Sequence, residues 1–128
     1  MMRKRNTENV TTLIARNTEV RGDLHFTGAL EIEGRVLGDI TAESDSGAEV
    51  RIRESGSVKG TVKAPSVIIN GVVEGDVHAF QSLELAAKAR VIGDVHYASM
   101  QMVMGAEING NLHRDYGESP RQITMDKT

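Results

Sequence analysis

Four histidines are the residues best placed to do chemistry. His25, His78, His96 and His113 each follow an aliphatic residue that itself follows a Gly-Asp or Gly-Asn step. Imidazole is a common zinc ligand, so this recurrence invites a metal reading. If these segments lie on consecutive coils, the last three rings stack on an outer face roughly 5 Å apart, the spacing of neighbouring strands. A straight row does not converge on one ion, and no carboxylate sits at an evident fourth corner. No metal is expected, and a solvated row of imidazoles is the preferred reading. A second row is formed by Asp23, Asp39, Thr61, Asp76, Asp94 and Asn111. Calcium-binding β-rolls use nonapeptide repeats, which are absent, so these side chains are expected to cap turns by bonding to backbone. No Ser/His/Asp grouping carries a nucleophile elbow, and the Gly motifs lack the Lys-Ser/Thr and helix of a phosphate loop. No catalytic residue, cofactor or nucleotide is therefore assigned, and the chain reads as a non-enzyme.

The elements that position these rows follow from a repeat. A motif of aliphatic, any residue, Gly, small polar, aliphatic occurs six times, around Gly22, Gly38, Gly60, Gly75, Gly93 and Gly110, at spacings of 16, 22, 15, 18 and 17 residues. Upstream of each copy stands a pair at i and i+2: Thr12/Ile14, Leu30/Ile32, Val50/Ile52, Val67/Ile69, Leu83/Leu85 and Met100/Met102. A period of two is that of a strand. Of these 24 aliphatic slots 23 hold Val, Ile, Leu or Met, against 35 such residues in all 128, Thr12 being the exception. Polar residues between the slots complete the alternation of a half-buried strand. A repeat of this length cannot bury its own apolar side chains and must stack on its neighbours. Six coils about 4.8 Å apart make a rod on the order of 30 Å long. The glycine of each motif falls on an inward slot where a side chain would crowd a bend, so it is expected to turn a corner. The predicted fold is all-β, a right-handed parallel β-helix of about six coils. A left-handed, hexapeptide-type helix needs an aliphatic residue every six positions, a period this chain does not keep.

Composition agrees with a core of short strands. Two Phe, two Tyr and no Trp leave the interior aliphatic, and thirteen glycines suit frequent turns. A net charge of -3 with so few rings offers neither the basic field nor the stacking platforms of nucleic-acid binders. The absence of cysteine fits a reducing compartment. No apolar run approaches the ~20 residues that span a bilayer. No secretory signal stands at the start, so the expected location is cytoplasmic.

The ends of such a rod are its most consequential feature. Each presents a coil of unpaired backbone groups above an aliphatic cross-section, which repeat proteins normally close with a polar cap. Residues 1–10 are too few and too polar for a capping helix, and the chain after Leu112 has no helical apolar face. Both ends are expected to be open and to assemble with further copies of the chain. The expected contacts are Leu13, Ile14, Val20 and Leu24 in the first coil and Met100, Met102, Met104, Ile108 and Leu112 in the last. Thioethers repack readily against a partner; the alternative is that these methionines are ordinary core beneath the tail.

The tandem Gly-Asp-aliphatic coils closely resemble the bactofilins, bacterial polymer-forming cytoskeletal proteins. The resemblance covers Thr11 to Arg114, flanked by flexible tails at 1–10 and 115–128. It implies a right-handed β-helical domain and filaments formed without nucleotide. It also implies joining of like ends and scaffolding of cell-wall or cell-shape enzymes. The family often attaches to membrane through a short N-terminal tail, which here is Met1, Met2, Arg3, Lys4 and Arg5. The alternative is a disordered basic start. The segment 42–49 lengthens one connector and is expected to bulge from the rod, as a partner-binding protrusion or a tolerated insertion. The competing functional class is a hexapeptide-type transferase, or a trimeric lyase in which histidines meet around a metal.

Overall fold

The computed structural model describes residues 11–43 and 47–114. Among the described residues, sixteen short strands and no helix wind into a parallel β-solenoid of six coils with three ladders, two of the strands being long enough to serve two ladders each. The alternation seen in the sequence dictates the register. On the first ladder Thr12, Leu30, Val50, Val67, Leu83 and Met100 stand one above another, and so do Ile14, Ile32, Ile52, Ile69, Leu85 and Met102. The second ladder stacks Val20, Val36, Val58, Val73, Val91 and Ile108. The third stacks Leu24, Ile40, Val62, Val77, Val95 and Leu112. Within the internal coils these side chains are almost wholly buried, which is the hydrophobic stabilisation that holds the rod together.

The interior holds a further inward column that an aliphatic pattern does not reveal. Phe26, Ala42, Ala64, Ala79 and Tyr97 each lie two residues beyond the third-ladder aliphatic. The three alanines are buried, and the two rings, in the first and fifth coils, are half-buried against the core. Small side chains in the middle of the rod let the chain pass tightly into the next coil. There, Val62–Ile69 and Val77–Leu85 run as continuous strands from one ladder to another. The segment 42–49 departs from the expected simple bulge. Ala42 and Ala48, near its two ends, are buried in the core. Residues 44–46 lie outside the described residues.

The corner glycines also exclude side chains for a different reason from the one expected. From Gly22 to Gly110 all six have positive φ, between 130° and 157°. A Cβ added at Gly38, Gly60, Gly75, Gly93 or Gly110 would overlap the carbonyl oxygen of the corner glycine in the preceding coil. The obstruction is the backbone stacked along the rod, not the interior. Gly22, in the first coil, has no such neighbour.

Candidate functional site

Outward rows decorate the solenoid, and the parallel register turns each repeated residue into a column. His78, His96 and His113 are in register on the third ladder, their rings stacked with centroids 4.4 and 4.5 Å apart and planes 6° and 13° from parallel. Thr41 and Lys63 interrupt the column between His78 and His25. The rings lie flat on one another, and Nε2 of His113 stands 3.8 Å from Oδ2 of Asp94. Among the described residues no group of three metal-ligating side chains is placed to hold an ion.

The Asp column bonds to backbone as expected, but across coils and not within its own turn. Asp23 Oδ1 accepts from the Asp39 N–H at 2.9 Å, Asp39 from Thr61 at 2.9 Å, Asp76 from Asp94 at 3.0 Å and Asp94 from Asn111 at 3.1 Å. Each carboxylate thus ties its coil to the next on the C-terminal side. The corner glycines add parallel ties, with Gly38 N–H donating to Lys59 O and Gly93 N–H to Asn109 O, both at 2.9 Å. These columns run to Asn111 and Gly110, in the last coil.

Charged columns pair across coils on the outside. Arg53 contacts Glu31, Lys59 lies 3.9 Å from Glu74, and Arg90 lies 3.6 Å from Glu107. In the first coil Arg21 Nε donates to Glu19 Oε2 at 2.6 Å. That hydrogen bond, and the charge of Arg21 behind it, holds the Glu19 carboxyl below the usual range. Exposed pairs of this kind contribute little stability but do set which strands can lie side by side.

The two ends differ. In the last coil Met102 is 46 % exposed, Met104 93 % and Leu112 49 %, while Met100 and Ile108 are half-buried. Val103 is also exposed there, a contributor the strand pattern misses because it sits in the turn. In the first coil Ile14 is buried at 7 %, Val20 and Leu24 are half-buried, and the outward Leu13 is 53 % exposed. Phe26 adds a half-buried ring to that coil, which the aliphatic pattern also misses. The open aliphatic surface is therefore concentrated at the C-terminal end. The basic segment Met1 to Arg5 lies outside the described residues. Among the described residues no helix is long and apolar enough to cross a membrane.

The comparisons agree on one family. Residues 12–113 match the model of the family described as Bactofilin, polymer-forming cytoskeletal. Bactofilin BacP of Myxococcus xanthus (strain DK1622) is 30% identical over 101 residues, 79% of this chain and 40% of BacP. Bactofilin BacO of the same organism is 28% identical over 115 residues, 90% of this chain and 88% of BacO. The chain thus spans less than half the length of BacP and most of BacO. No solved structure matches the chain significantly.

Proposed function

The chain belongs to the bactofilin family, and from that premise we infer that it is a structural scaffold whose rods join end to end, without nucleotide, into filaments. The observation that carries this reading is the last coil, where Met102, Val103, Met104 and Leu112 are exposed. Exposed aliphatic surface in the coil that ends all three strand ladders fits a partner bearing the same columns, and the partner at hand is another copy of the chain. Burying two such cross-sections favours association over its entropic cost. The solenoid of residues 11–114 then carries assembly.

The role is to present a surface and not to catalyse. A filament in the cytoplasm displays many copies of each outward column and can gather cell-wall or cell-shape enzymes along it. The same multiplicity acts on the basic start. Each Lys or Arg near anionic lipid is worth about 1 kcal/mol, so a single copy binds feebly while a polymer binds by avidity. Deleting residues 2–5 is expected to remove filaments from the pellet of anionic liposomes and leave assembly intact; unchanged co-sedimentation would remove the membrane role. The competing transferase or lyase reading requires discrete trimers, so negative-stain images of the purified protein separate it from a polymer.

A further inference from the structure

Sulfur is confined to one end of the described rod. The chain has six methionines and no cysteine, and the methionines among the described residues are Met100, Met102 and Met104, all in the last coil. Met100 stands on Leu83 and Met102 on Leu85, and in the coils below both slots carry Leu, Ile, Val or, once, Thr. Packing does not demand the change, since leucine fills both slots one coil earlier. What a thioether adds there is chemistry.

With no thiol in the chain, two-electron oxidation falls to the thioethers. A hydroperoxide is the matching co-reactant. The sulfur lone pair attacks the terminal peroxide oxygen and the O–O bond breaks. Sulfur is oxidised to the sulfoxide, and the peroxide is reduced to water or an alcohol. Two thiols reverse the step through a reductase, leaving a disulfide and water.

The three sulfurs differ in access. Met104, in the turn, is 93 % exposed, Met102 is 46 % exposed and Met100 is half-buried against the core. Oxidation should therefore proceed in that order. Its consequence is greatest at Met102, which occupies an inward slot of the exposed cross-section, whereas Met104 lies beyond the strand. A sulfoxide is a strong hydrogen-bond acceptor, and aliphatic slots facing it in a joint hold no donor. In the single rod the same oxygen reaches water, so the coil itself is little disturbed.

We propose that Met102 is a reversible oxidation site for hydroperoxides, and that its sulfoxide blocks assembly at the C-terminal end. This rests on the self-assembly reading and adds a regulation to it. The test treats the full chain with hydrogen peroxide at a dilution that leaves its ends free, then quenches it and restores the protein concentration. Peptide mass spectrometry reads each sulfoxide, sedimentation reads assembly and far-UV circular dichroism reads the fold. Met104 should convert first without effect, and the pelletable fraction should fall by about tenfold as Met102 converts. Methionine sulfoxide reductases for both epimers, with a thiol reductant, should restore it. In Met102→Leu, peroxide should leave pelleting at whatever level that variant starts from. Full conversion of Met102 with undiminished pelleting overturns the proposal. So does a loss that follows Met104 alone, that the reductases fail to reverse, or that accompanies a loss of β-structure. An untreated chain that forms no filaments overturns the self-assembly reading itself, and this regulation with it.

Discussion

Met102→Arg should halt the proposed end-to-end assembly at short soluble oligomers without changing the fold. Met102 lies at the last inward position of the first ladder, above Leu85, and is 46 % exposed in the single rod. A guanidinium there can reach water in the isolated rod, so the coil still forms. In a joint it is covered by another aliphatic coil with no carboxylate at its position, and an unpaired buried charge costs ~3 kcal/mol or more. At 1.4 kcal/mol per factor of ten, the concentration needed for assembly should rise by about a hundredfold or more. Sedimentation across a dilution series measures this, and circular dichroism checks the fold. A variant that pellets like the unaltered chain would place the joint elsewhere. Ile14→Arg is a poor counterpart: Ile14 is buried at 7 %, so the charge would disrupt the first coil before any joint is tested.

Replacing one corner glycine should destabilise the rod far more than replacing another with the same φ preference. At Gly60, φ is 152° and an added Cβ overlaps the carbonyl oxygen of Gly38. The coils must separate at that corner, breaking the Gly38 N–H bond to Lys59 O and its neighbours. Gly60→Ala is expected to cost about 4 kcal/mol or more, in the range reserved for backbone clash in a packed core. At Gly22, φ is 130° but nothing lies within reach of an added Cβ. Gly22→Ala should cost only the backbone strain, about 1–2 kcal/mol. Urea unfolding of both variants gives the comparison. Equal losses would mean that φ alone, and not the stacked backbone, fixes these glycines.

Much of the fold is legible because coil stacking converts sequence alternation directly into columns. The pairs from Thr12/Ile14 to Met100/Met102 align in register without exception, and the exceptional Thr12 sits in the first of the described coils. The inward column of Ala42, Ala64 and Ala79 is not legible. Alanine carries too weak an apolar signal to mark a slot, and connector lengths vary around it. The same weakness hides the buried ends of the segment 42–49. At the corners, spacing locates Gly and Asp but not their partners: those lie a whole coil away, and only the stacked structure shows Asp23 reaching Asp39. Of the residues expected to meet a partner, Met102, Met104 and Leu112 are exposed in the last coil, whereas Ile14 in the first coil is already covered.

Electron microscopy of the purified full chain at neutral pH, with no nucleotide added, puts the central claim to its most direct test. Unbranched filaments one solenoid wide are the result this account requires. A population that stays as single rods at high protein concentration would contradict it, because the aliphatic surface of the last coil would then be stable in water on its own.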